Sequence, residues 1–327
     1  MSTGRIIKVN AEDDGQRLDR WLKKNVPEVP YALVQKLIRK GAIKVDGKKA
    51  KTDARLNEGQ EVRLPSVEDR GQHPKGQVPL KRTPHDENYM RKMVIFDDGD
   101  VVALHKPGDI ASQGGGGVER HIDGLLEHLK DKKDRRPRLI HRLDRETSGV
   151  LLCARSPEAV RNLGKMFHDR HAQKVYWAIV VPAPIKNEGT IKAPLEKGAG
   201  AHKDRMYVSE GEDAKMAITD FVVLERASKK AALVAFLPRT GRTHQIRVHA
   251  ADVLKCPILG DDKYGGEAAQ IKGMALGSRL HLHARRLVLP HPKEKGKMID
   301  IKAPLPPDLK KSWAALGFDE NHPDIDL

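Results

Sequence analysis

Between residues 67 and 88 the chain offers almost nothing to a hydrophobic core: Gly71, Pro74, Gly76, Pro79 and Pro84 are interspersed with Asp, Gln, Lys and Arg. Such a composition supports neither a buried helix face nor a sheet ladder, so the stretch reads as an interdomain linker. The chain on either side must then fold as separate units. The expected layout is a small module at 1–66, a large domain at 89–316 and a short, loose, acidic tail at 317–327. A length of 327 residues accommodates two such units.

In the small module Leu18, Trp21, Leu22 and Val26 recur at helical spacing before Pro27. Val34, Leu37 and Ile38 mark a second helix over residues 31–40, with Gly41 as its stop. Lys36, Arg39 and Lys40 fall at i, i+3 and i+4 and share one exposed face. Residues 43–45 alternate like a strand, Asp46-Gly47 signals a tight turn, and Lys48, Lys49 and Lys51 follow it. In the large domain the strand candidates are 93–96, 101–105, 150–154, 175–181, 217–224, 231–237, 280–283 and 298–301. The helix candidates are 120–129, 157–170 and 243–254, the second with Ser156 as N-cap and Pro157 in the first turn. Strands outnumber helices and several adjoin in sequence. The expected class is therefore α+β with a mainly antiparallel mixed sheet, not a doubly wound one.

The chain carries 60 Lys and Arg against 45 Asp and Glu, a formal net charge of +15. An excess of that size attracts polyanions. There is no basic anchor helix, and no apolar run approaches the ~18 residues of a membrane span. Nucleic acid is therefore the expected partner, not a membrane. The N-terminus leads into nothing resembling a signal peptide. The two cysteines, Cys153 and Cys256, lie in apolar settings outside any CxxC motif. That pattern excludes a disulfide framework and a cysteine zinc site, and suits a reducing cytoplasm.

The common cofactor motifs are missing. There is no G-x-x-x-x-G-K-[ST] loop, no H-E-x-x-H and no G-x-S-x-G. Glycines 114–117 do not fit G-x-G-x-x-G, because Glu119 and Arg120 stand where the last glycine belongs. His281 and His283, like His168 and His171, lack partners at metal-ligand spacing and are expected to be structural or RNA-facing. No cofactor and no metal is expected.

The informative segment is His141-Arg142-Leu143-Asp144-Arg145-Glu146-Thr147-Ser148-Gly149, entered from Arg135, Arg136 and Arg138. An acid among these cations is favoured in its anionic form. By residue chemistry alone, Asp144 is equally a salt-bridged loop aspartate and a reactive carboxylate in a basic cleft.

This segment resembles the H-R-L-D-x-x-T-S-G signature of the RluA-type pseudouridine synthases. Further segments are similar to that family in the same order: Lys106-Pro107, Lys174-Val175-Tyr176, residues 239–249 (R-T-G-R-T-H-Q-I-R-V-H), Gly260-Asp261-Asp262-Lys263-Tyr264-Gly265 and residues 280–284. His105 departs from the asparagine that often precedes the K-P pair. The small module resembles an S4-type RNA-binding domain, as found in members acting on 23S, large-subunit, ribosomal RNA. The resemblance implies a pseudouridine synthase fold, isomerisation of uridine to pseudouridine within ribosomal RNA, base flipping and no cofactor. It implies that Asp144 is the catalytic carboxylate, as nucleophile or as base, and that Arg247 pairs with it. Tyr176 would stack on the base, although without the resemblance it reads as a core tyrosine on a strand. Arg142 would fill the space the flipped base leaves, or hold phosphate. Lys174, Arg242 and His244 would contact RNA, as would Lys36, Arg39, Lys40 and Lys48 of the small module. The protein is expected to be a cytoplasmic monomer.

Overall fold

The computed structural model describes residues 5–27, 29, 31–65, 84–115, 118–202, 204–274, 276–323 and 325. It divides into two units, Met1–Pro79 and Leu80–Leu327. In the first, β1 (Ile6–Lys8), α1 (Leu18–Asn25), α2 (Tyr31–Arg39), β2 (Lys44–Val45), β3 (Lys48–Lys49) and β4 (Glu61–Arg63) follow one another. The strands pair in the order β1-β4-β2-β3, all antiparallel. Leu18, Trp21 and Leu22 of α1 and Val34 and Ile38 of α2 close with Ile43, Leu56 and Val62 into one core. The turn between β2 and β3 takes positive φ at both centre residues, 48° at Asp46 and 75° at Gly47. That mirror-image turn matches the twist of the flanking strands. The register sets Lys44 opposite both Lys49 and Arg63, so three cations stand side by side on one face.

The second unit contains α3 (Pro84–Met93), β5 (Val94–Asp97), β6 (Val101–Lys106), α4 (Ile122–Leu125), β7 (Arg138–Leu139), β8 (Ser148–Ala154), α5 (Pro157–His168), β9 (Gln173–Val180), β10 (Glu188–Lys197) and β11 (Met206–Val208). It continues through β12 (Lys215–Ala227), β13 (Ala231–Pro238), α6 (Gln245–Val248), β14 (Leu282–Pro290), β15 (Met298–Lys302) and α7 (Pro307–Leu316). One sheet runs β11-β10-β12-β13-β9-β14-β8-β6-β5, with β15 beside β14 and β7 beside β8. Its pairs are antiparallel except β8 with β14. The expected mainly antiparallel mixed sheet is thus the one that forms. Its strands alternate between two covers. In β6 and β8, Val102, Leu104, Leu151 and Cys153 pack toward α3 and α4, while Val101, Ala103, Val150 and Leu152 pack toward α5. In β9 and β13, Ala178, Val234 and Phe236 meet α6, while Trp177, Leu233 and Ala235 meet α7.

Several expectations need correction. Residues 84–88, read as linker, open α3; Met90 and Met93 are its buried anchors, two apolar positions in a polar helix. The rest of that stretch, 67–83, lies outside the described residues, as do Gly116 and Gly117. The tail is not loose where it is described: Phe318 and Ile325 pack on Trp313 and Leu305, and the Asp319 N–H donates to Glu225. The helix expected at 120–129 is α4 followed by a 3₁₀ turn. That expected at 243–254 is α6 and a π-helical turn, starting after a left-handed His244 (φ 52°). β10, β11 and α7 add to the expected elements. Among the described residues no helix is long and apolar enough to cross a membrane.

Candidate active site

The loop carrying Asp144 is held on both sides of it. Upstream, the Ile140 N–H donates to the Leu152 carbonyl and the Leu152 N–H donates to His141 Nε2, each at 3.0 Å. Burial lowers the His141 pKa to about 3, which keeps Nε2 an acceptor. The Ser112 hydroxyl donates to the Leu143 carbonyl (2.7 Å) and accepts from its N–H (3.0 Å). Downstream, Lys106 is wholly buried and donates to the carbonyls of Pro107, Ile110 and Arg145 at 2.7, 2.8 and 3.0 Å. Burial pushes its pKa down to about 7, against the pull of Asp109, Asp144 and Glu146. The loop rejoins β8 at Gly149 (φ 115°), where a Cβ would lie 2.2 Å from the Ala284 carbonyl oxygen. Only glycine admits β14 that closely.

Asp144 thus lines a cleft of about 960 Å³. The same cleft collects Arg142, Lys174, Tyr176, Arg242, His244 and Arg247 from the loop, β9, the segment between β13 and α6, and α6 itself. Every site residue expected in the large domain is therefore in one place. Tyr176 is half-buried. Burial, and then the Asp144 charge, raise its phenol well above the ordinary range, so it stays protonated. The Gln245 side chain secures the segment before Arg247: it accepts from Thr240 and the Arg242 N–H, and donates to Ile218 and Thr219 of β12.

Arg247 does not pair directly with Asp144. Its guanidinium forks onto buried Asp261 through Nε and Nη2 (2.9 and 2.7 Å), and Nη1 reaches Glu146 at 3.3 Å. Burial opposes its charge, yet Asp261, with Asp144 and Glu146, raises its pKa. The Asp144 carboxylate has instead His244 Nε2 at 4.0 Å. Nor do Arg135 and Arg136 surround Asp144: they pair with Asp131, Asp100, Asp123 and Glu127. Arg138 lies on β7, outside the cleft lining. The positive lining comes from Arg142 and Arg145 and, from elsewhere in the chain, Arg170, Lys174, Lys197, Arg239 and Arg242. Of these only Arg239 has an acidic partner among the described residues, Asp220. Burial lowers the Lys174 pKa, with Arg170 adding to the effect.

Lys36, Arg39, Lys40 and Lys48 are all exposed in the first unit. His281 and His283 are buried and bonded to Leu259, Ser312, Ser148 and Ala303. Asp261, Tyr264, Gln245, Arg170 and Lys197 are site residues that sequence reasoning misses. For the first three a signal exists, since they belong to the G-D-x-x-Y-G and T-H-Q-I-R segments. Arg170 and Lys197 have no local signature.

A family described as RNA pseudouridylate synthase matches residues 100–252, and the S4 domain matches residues 16–62. A ribosomal large subunit pseudouridine synthase C of Pasteurella multocida (strain Pm70) is 35% identical over 313 residues, 95% of this chain and 94% of the relative. Proteins of the same name from Rickettsia bellii (strain RML369-C) and Escherichia coli (strain K12) are each 33% identical over 311 residues. These alignments span 92% and 94% of this chain, and 98% and 95% of the relatives. The solved structure of human RNA Pseudouridylate Synthase Domain Containing 4 covers 71% of this chain and 95% of its own, with 27% identity and a TM-score of 0.60.

Proposed function

The chain belongs to the RNA pseudouridylate synthase family, and from that premise we propose that it isomerises uridine to pseudouridine in large-subunit ribosomal RNA, with Asp144 as the reacting carboxylate. The observation that carries this reading is the meeting of Asp144, Tyr176 and Arg247 in one cleft whose lining also carries Arg142, Arg145, Arg170, Lys174, Lys197 and Arg242, cations without acidic partners among the described residues. Such a lining receives a phosphate backbone. In the reaction the N1–C1′ bond breaks, the base turns and C5 bonds to C1′, with no redox change and no net hydrolysis. Asp144 either adds to the sugar or removes a proton from it. Tyr176, kept protonated, serves as stacking platform and hydrogen-bond donor, a poor base. Arg247 is buried and clamped by Asp261, so it supplies a fixed positive charge beside the cleft. A base within folded RNA must leave its stack to reach Asp144. Arg142, exposed at the cleft, fills the space it vacates. Lys174 and Arg242 contact backbone, and the first unit adds affinity through Lys36, Arg39, Lys40 and Lys48. We take the working unit to be a monomer, in the cytoplasm where ribosomal RNA is.

Asp144→Asn keeps the shape of the side chain and removes the carboxylate. Pseudouridine mapping of ribosomal RNA, from cells carrying only this variant, is expected to lose the same positions as cells lacking the protein. Retention of those positions would refute the assignment.

A further inference from the structure

Each ring nitrogen of His244 faces one polar group. Nδ1 lies 2.6 Å from the Tyr264 hydroxyl, and Nε2 faces Asp144 at 4.0 Å. The Tyr264 oxygen also accepts the Met206 N–H at 3.0 Å. Burial raises the Tyr264 pKa, so the phenol keeps its proton, and among the described residues Nδ1 is the acceptor available to it. Nδ1 is then the unprotonated nitrogen, and a neutral imidazole carries its proton on Nε2. The ring is neutral because burial lowers its pKa, with Arg247 and Lys263 adding to the effect and Asp144 and Glu146 opposing it.

The backbone serves the same aim. His244 sits at φ 52°, a left-handed conformation uncommon outside glycine, although histidine adopts it more readily than most residues. The Gln245 bonds to Thr240, Arg242, Ile218 and Thr219 hold it there. Local strain of this kind persists only where surrounding structure enforces it.

We propose that His244 is a positioning residue: the Tyr264 hydroxyl sets its imidazole as the Nε2–H tautomer, and that N–H orients the Asp144 carboxylate for attack. The inference rests on Asp144 being the reacting group. It replaces the RNA contact expected of His244, because an Nε2–H given to Asp144 in the loaded site is not left to hold a phosphate. A neutral donor orients a carboxylate without neutralising it. The 4.0 Å gap exceeds a hydrogen bond, but such catalytic contacts commonly tighten when substrate fills the site.

The test uses the full-length protein with ring-15N histidine, the His244 signal being assigned by its loss in His244→Asn. Asparagine tolerates the left-handed backbone but cannot reach Asp144, whereas His244→Gln places an amide N–H near the Nε2 position. In the unsubstituted protein at pH 7 the nitrogen shifts are expected to show the proton on Nε2, and Tyr264→Phe to move part of it to Nδ1. His244→Asn is expected to lower the single-turnover rate at saturating enzyme by at least about tenfold, with unchanged RNA affinity, and His244→Gln to recover part of that loss. A proton on Nδ1, a doubly protonated ring, or equal losses in Asn and Gln would overturn the proposal. So would weaker RNA binding with an unchanged saturated rate, which is the mark of a phosphate contact. Asp144→Asn run in parallel separates the two claims: activity in that variant refutes the reading of Asp144, whatever the tautomer.

Discussion

At Tyr176, burial and then the Asp144 charge disfavour the phenolate, which favours stacking and hydrogen-bond donation over proton abstraction. A phenol held so firmly protonated stacks and donates; it does not abstract. Tyr176→Phe is therefore expected to keep RNA affinity and most of the single-turnover rate. Tyr176→Ala is expected to lose about 1–3 kcal/mol of base-stacking affinity. A collapse of the rate in Tyr176→Phe would show that the hydroxyl takes part in proton transfer. The motifs point correctly to Tyr176 and Arg247 as cleft residues but not to their partners. Arg247 reaches its charge partner Asp261 across a gap of fourteen residues that local pattern cannot bridge.

Strands β8, β9 and β13 are legible in the sequence because each is a continuous apolar run, buried on both faces of the sheet. β10 alternates instead, with Ile191, Ala193 and Leu195 buried at every second position, but the run is short and Pro194 within it argues against a strand. α3 shows two buried methionines in ten otherwise polar positions, too few to make a period. What joins elements to chemistry is Lys106, the last residue of β6, whose ammonium ties three carbonyls on two loops. Lys106→Met fills the volume but leaves those acceptors unpaired, at about 1–3 kcal/mol for each buried group. The single-turnover rate is expected to fall far more than RNA affinity, since Arg145 is released beside Asp144. Equal losses in both would mean that the whole unit, not the loop, depends on Lys106.

Across the whole molecule, His141, His249, His281 and His283 of the second unit, whose pKa values desolvation lowers furthest, tie stability to pH. Burial lowers His141 and His283 to about 3, and His249 and His281 to about 4. Unfolded, each takes up a proton near pH 6.5. Their stabilisation is complete above that pH and is lost as pH falls toward the folded values, by about 1.4 kcal/mol per unit for each group. The urea midpoint of the second unit is expected to drop between pH 7 and pH 5; a flat midpoint would contradict the burial of these rings. Removing residues 1–79 deletes Lys36, Arg39, Lys40, Lys44, Lys48, Lys49 and Arg63. RNA binding should weaken, and its dependence on log salt should flatten by roughly 0.7–0.9 for each phosphate those cations neutralise in the full chain. An unchanged slope would place the first unit off the RNA. The sequence by itself determined the division into two units, the sheet class and the motif-borne residues of the cleft, because apolar period and motif order are local and survive without a structure. Only the tertiary structure decided which charges meet. Arg135 and Arg136 stand near Asp144 in the chain and away from it in space, while Arg170, Lys197 and His244 are distant in the chain and share its cleft. Charges interact through space, and chain distance does not limit their reach.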